Sequence, residues 1–172
     1  MSTLRSRLDC KLERVAGYRV LEFVAFDRGL VPLRVTSWPT GPGEFRASAA
    51  GAPLLLHFAP GRWLVPNPGV EALQMVEVAA VSGVGTCVDV TGRWVPMRFE
   101  GVDAVRVLAS TIDIRALLGG RGCAAAHLFD CPAIVATAGD GYGLWIGASY
   151  AAAFAAAIER QVACAPATDA RR

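Results

Sequence analysis

The chain has 172 residues, 53% hydrophobic and 19% charged, with a formal net charge of +2. That length suits one domain or two small lobes and can bury a sizeable core. No apolar run approaches the roughly 18 residues of a membrane span, and no basic stripe suggests a nucleic-acid binder, so neither membrane nor nucleic acid is expected as a partner.

The chain is more apolar than an average soluble domain, and a subunit interface is the usual place for such a surplus. Abundant alanine accounts for part of it. Five cysteines, Cys10, Cys87, Cys123, Cys131 and Cys164, form no CxxC pair and are odd in number. The opening MSTLRSRLDCKLER is polar and charged, unlike a secretory leader. Reduced thiols and a cytoplasmic location are therefore expected.

Residues 1–17 read as a basic, weakly helical arm, with Leu4, Leu8 and Leu12 four apart. It is either a solvated terminal segment or an arm that grips a partner. Tyr18–Phe26 and Leu30–Thr36 read as strands around Asp27-Arg28-Gly29. Residues 37–53 are rich in Pro, Gly, Ser and Ala and predict a long loop. Leu54–Phe58 is an apolar strand, Pro60-Gly61 a turn, and the segment through Trp63 and Val65 a return strand. The pattern over 70–81 predicts a helix with Leu73, Val76 and Ala80 on one face.

Val88 and Val90, then Val95, Met97 and Phe99, alternate as strands on either side of Thr91-Gly92-Arg93. From Val102 the period becomes helical, through Val105, Leu108 and Ala109, and Ile112–Leu118 suggests a further short turn. Cys123–Phe129 and Ala133–Ala138 are apolar runs, and Gly139-Asp140-Gly141 is a hairpin signal. Ser149 is a suitable N-cap for a last helix with Tyr150, Phe154 and Ile158 as its buried stripe. Strand pairs separated by one-faced helices predict an α+β fold with ferredoxin-like, split β-α-β layers. The division expected is an arm (1–17), one composite domain (18–163) with lobes about 18–82 and 86–163, and a disordered tail (164–172). No repeat is evident in the sequence.

Few residues suggest chemistry. Cys123, His127 and Cys131 are four apart, so a metal site or a Cys-His pair is conceivable, with Asp130 adjacent. Buried small side chains on a strand explain them more simply. His57, between Leu56 and Phe58, is expected to point out of a strand. Ser82-Gly83-Val84-Gly85 and Gly119-Gly120-Arg121-Gly122 match neither a Walker loop nor GxGxxG and read as turns. Asp103 suits the positive end of a helix dipole. Trp38 and Trp63 are the candidate interface anchors, Trp38 above all because of its Pro/Gly-rich loop.

The stretch VDVTGRWVPMRFEGVDAVRVLA resembles the folate-binding module of aminomethyltransferases (glycine cleavage T-protein), through Gly101, Asp103, Ala104 and Leu108. The Cys-Ala-rich strand, the hairpin, the terminal SYAAAFAAAIE and the segment Gly61-Arg62-Trp63-Leu64 resemble the gamma subunit of heterotetrameric sarcosine oxidase. The likeness runs over roughly residues 20–160. It implies a two-lobed module and a non-catalytic structural subunit beside alpha, beta and delta subunits. Such complexes oxidise sarcosine to glycine and pass the one-carbon unit to tetrahydrofolate or release formaldehyde. FAD, FMN, NAD and tetrahydrofolate would sit on the larger subunits and zinc on delta, with none bound by this chain. The small subunit of an N-methylglutamate dehydrogenase complex is an equal resemblance. Apart from these, a stand-alone folate carrier would need a pocket between the lobes and a carboxylate such as Asp89 or Asp103.

Overall fold

The computed structural model describes residues 8–26, 38–39, 41–47, 53–118 and 122–164. In chain order the elements are β1 (Lys11–Arg14), β2 (Val20–Ala25), β3 (Phe45–Ala47), β4 (Pro53–Ala59), β5 (Arg62–Pro66), α1 (Val70–Val81), β6 (Gly85–Asp89) and β7 (Trp94–Glu100). There follow α2 (Ala104–Ala109), α3 (Ile114–Leu118), β8 (Cys123–Leu128), β9 (Cys131–Ala138), β10 (Gly141–Gly147), a 3-10 turn (Ala148–Tyr150) and α4 (Ala151–Cys164).

The strands form two five-stranded sheets, ordered β3-β4-β5-β2-β6 and β8-β9-β10-β7-β1. All neighbouring strands are antiparallel. The two orders are the same arrangement built twice, with β7 in the place of β2, β10 in that of β5 and β1 in that of β6. In the first sheet β2 lies between β5 and β6, which run parallel, so the connection through α1 makes a split β-α-β unit. The α+β expectation stands, and the repeat lies in strand order, where residue patterns did not reveal it.

The expected lobes trade strands. Residues 11–14 are a strand, and they pair with β7 of the second sheet. A spacing of four keeps Leu8 and Leu12 on one side of a strand as well as of a helix, so the leucine pattern could not separate the two. β6, expected to open the second lobe, pairs with β2 of the first sheet. The expected strand Leu30–Thr36 and residues 165–172 lie outside the described residues, and Cys164 ends α4 rather than beginning the tail. Part of the expected loop is strand β3, paired with β4.

Strand alternation sends neighbouring side chains into different layers. Leu21, Phe23, Leu55, Trp63 and Val65 pack with Ala72, Val76 and Ala79 of α1. Val20, Leu56 and Leu64 turn to the opposite face and meet Trp94, Cys123, Ile134 and Trp145 of the second sheet. Val95, Met97, Phe99, Val135 and Leu144 pack beneath Leu108, Ile114, Phe154 and Ile158. The layers are thus helix, sheet, sheet, helices. Phe154 and Ile158 form the expected stripe, but Tyr150 is 46% exposed. It lies in the 3-10 turn with Ser149, ahead of the α-helix, so neither has the helical position assigned from spacing.

Candidate functional site

The thiol and imidazole candidates are dispersed. Cys123 on β8 is buried between the sheets, whereas Cys131 on β9 faces the helices. His127 is exposed on the same strand as Cys123. The chain reverses at Phe129 and Asp130, both with positive φ (49° and 61°), so equal sequence spacing does not give one face. Among the described residues no group of three or more His, Cys, Asp or Glu could hold a metal ion. Burial pushes the Cys123 thiol up to about 12, a value that leaves it protonated at neutral pH.

Trp38 and Trp63 are 4% and 2% exposed and belong to this chain's own core, which corrects their expected place on an interface. Trp38 packs edge-on against Trp63 (5.1 Å) and Phe23 (4.6 Å). The Trp63 indole N–H donates to the Pro39 carbonyl at 3.1 Å. Enough apolar area surrounds the 38–39 segment to seat an aromatic there despite the Pro/Gly-rich sequence.

His57 does not point outward. It is 3% exposed and stacks on Trp63, with ring centroids 4.3 Å apart and 17° between planes. Neither ring nitrogen makes a well-formed hydrogen bond. Burial lowers its pKa, opposed by the backbone of Gly41 and Ala59 and by the Glu44 carboxylate. Its backbone is tied to the 41–44 turn: Gly43 N–H donates to His57 O (2.7 Å) and His57 N–H to Glu44 O (3.0 Å). Gly43 O in turn accepts from Gly122 and Cys123 N–H at 2.8 and 2.9 Å, and Cys123 Sγ lies 3.3 Å from Glu44 O. One short turn therefore staples the two sheets.

The carboxylates considered for a pterin serve local structure. Asp89 binds the Thr91 hydroxyl (2.6 Å) and Arg19 Nε (3.0 Å), interactions that hold its pKa at about 2. Asp103 caps α2 by position only; its carboxylate accepts the Asp9 N–H. The space between the sheets is packed with the side chains around Leu56, Leu64 and Trp145. Gly83, at φ +70°, serves the turn between α1 and β6, while residues 119–121 lie outside the described set.

A feature not anticipated from the sequence is Glu22, 3% exposed on the inter-sheet side of β2. Arg62 Nε on β5 donates to Glu22 Oε1 at 2.6 Å, and Arg93 Nη1, from the turn joining the sheets, lies 3.5 Å from Oε2. Arg62 also lies over the Phe58 ring and Arg93 over Trp94. An acidic residue amid VLEFVA, facing an arginine from GRWLV, was the available signal. The cluster is internally neutralised apart from one positive charge and crosses from one sheet to the other.

A separate groove of about 690 Å³ lies between β1 and α4, with Leu12 and Arg14 on one side and Ala155 and Val162 on the other.

No family model matches the sequence, and no curated protein matches it. Solved structures do match. One is a chain of heterotetrameric sarcosine oxidase from Corynebacterium sp. U-96, in complex with pyrrole 2-carboxylate, with a TM-score of 0.70 at 17% identity, covering 90% of this chain and 84% of that chain. Another is glycine cleavage system aminomethyltransferase T from Bartonella henselae, with a TM-score of 0.57 at 14% identity; it covers 90% of this chain and 46% of that one. At such identities the likeness establishes a shared fold. The chain spans under half of the aminomethyltransferase but most of the oxidase chain. No helix among the described residues is long and apolar enough to cross a membrane.

Proposed function

We propose that this chain is a structural, non-catalytic subunit of a sarcosine-oxidase-type complex, equivalent to the gamma subunit. The observation that carries the reading is length together with fold: the match takes in 84% of a chain from a heterotetrameric oxidase. An aminomethyltransferase is about twice as long as the part matched here. The candidate catalytic side chains are held apart or buried, and the buried Glu22 carboxylate is paired with Arg62 and Arg93. Larger alpha and beta subunits and a delta subunit would be its partners, carrying FAD, FMN, NAD, tetrahydrofolate and zinc. An N-methylglutamate dehydrogenase complex would place the chain in the same role.

Co-purification tests this. The tagged chain, expressed with the genes that flank its own, is expected to bring down large yellow chains whose flavin bleaches on addition of sarcosine. Bleaching by N-methylglutamate instead would assign the sister complex. Recovery of a colourless chain without large partners would overturn the proposal, and titration with tetrahydrofolate would then test a carrier role.

A further inference from the structure

The outer edge of β1 is a self-complementary pairing surface. β1 is the last strand of its sheet, paired on one side only among the described residues. Val15 N–H donates to Pro96 O, the Asp9 carbonyl accepts from Asp103 N–H, and the Asp9 N–H donates to the Asp103 carboxylate. Odd-numbered residues thus bond inward to the sheet. In an antiparallel ladder bonding alternates, so Leu8, Cys10, Leu12 and Arg14 direct their N–H and C=O groups outward. The side chains of these same four residues line the groove beside α4. The edge therefore offers unpaired backbone and an adjoining apolar floor, which is what an added strand requires.

Charge selects the occupant. On the opposite face Lys11 and Glu13 form an ion pair, as do Arg98 and Glu100 on β7. The register sets Lys11 beside Glu100 and Glu13 beside Arg98, a row of alternating sign. A second copy placed antiparallel about a two-fold axis at Leu12 continues that row. Lys11 then faces Glu13 of the second copy, and Glu13 faces its Lys11. Only outward-bonding residues may meet as hydrogen-bonded pairs, and Leu12 on Leu12 satisfies this condition.

We propose that the chain pairs with a second copy of itself through β1, joining two five-stranded sheets edge to edge with both grooves closing around the leucines. The inference goes beyond the subunit reading and concerns the chain on its own, so co-purification with larger subunits neither proves nor disproves it.

Sedimentation equilibrium of the full chain, with K11E and E13K as variants, tests the pairing. The parent is expected to dimerise. Each variant alone juxtaposes like charges and should weaken the dimer about tenfold or more, as the loss and reversal of two cross-strand ion pairs implies. An equimolar mixture of K11E and E13K restores opposite charges and should recover dimer. A monomeric parent, or dimers indifferent to both changes, would overturn the proposal. Should either variant fail to fold, R14C provides a second route, since Cys10 then faces the introduced thiol of the second copy within disulfide range. Oxidised glutathione should give a covalent dimer with R14C and not with the parent; equal cross-linking of both would overturn the proposal.

Discussion

Asp9 and Asp103 hold one another through two hydrogen bonds: the Asp9 N–H donates to the Asp103 side-chain Oδ2 at 2.8 Å, and the Asp103 N–H to the Asp9 carbonyl at 3.2 Å. Gly101, at φ +112°, makes the approach possible, because a Cβ there would overlap the Asp9 carbonyl oxygen. The clamp leads the chain into β1. Asp103→Ala should lower stability by about 1 kcal/mol. Gly101→Ala should cost about 2 kcal/mol or more, through both the positive φ and the clash. Urea midpoints of the two variants would check the order.

Glu22 should be the most sensitive charged position in the first sheet. Glu22→Ala leaves Arg62 and Arg93 without their shared partner. Both arginines keep contact with water (side chains 39% and 55% exposed), so the loss should fall near or below the lower end of the buried-pair range, about 2–3 kcal/mol. Arg93→Ala should cost less than Arg62→Ala, because its contact is longer. A double-mutant cycle between positions 22 and 62 would isolate the coupling.

Stability should depend on His57 below neutrality. Its folded pKa lies below the unfolded value of about 6.5, chiefly through burial. As pH falls through 6.5 the unfolded state takes up the proton first, so stability declines toward the folded pKa. Above 6.5 the imidazole is neutral in both states and this slope vanishes. His57→Phe retains a ring on Trp63 and should flatten the profile between neutrality and that folded pKa, as measured by denaturant unfolding at a series of pH values.

The described thiols should divide into two reactivity classes. Cys123, with a pKa near 12, has a thiolate fraction about a thousandfold below that of an ordinary thiol. Cys131 is buried too, and its pKa is raised by burial and by Asp130. Cys10 and Cys87 are half-buried, with pKa values raised as well, chiefly by burial. Native-state alkylation with iodoacetamide, read by peptide mass mapping, should mark Cys10 and Cys87 slowly. Cys123 and Cys131 should react only after unfolding.

Strand and helix positions were largely legible because local periodicity specifies them: the helix over 70–81 and the strands at 95–99 and 141–147 follow their apolar patterns. Partnership between strands was not, since pairing of β1 with β7 joins residues about half a chain length apart, and alternation is blind to which sheet a strand joins. His57 and the two tryptophans were misplaced for a related reason. A polar ring flanked by Leu56 and Phe58 has no local signal that Trp63 covers it, and a Pro/Gly-rich sequence hides the burial of Trp38. Glu22 escaped notice because its arginines come from residues 62 and 93, which only the assembled sheets bring to it.

The exchange of β1 and β6 makes the two halves inseparable parts of one folding unit. A fragment ending near residue 82 would expose the flank of β2 that β6 covers, while carrying a β1 with no sheet to join. A fragment beginning near residue 86 would strip the edge of β7 and hold β6 idle. Neither half is a domain in the sense of something that can be cut free, so the whole chain should melt in a single cooperative transition. Its first described strand can find its place only after β7 has been synthesised, although the two lobes look from outside like successive pieces of a string.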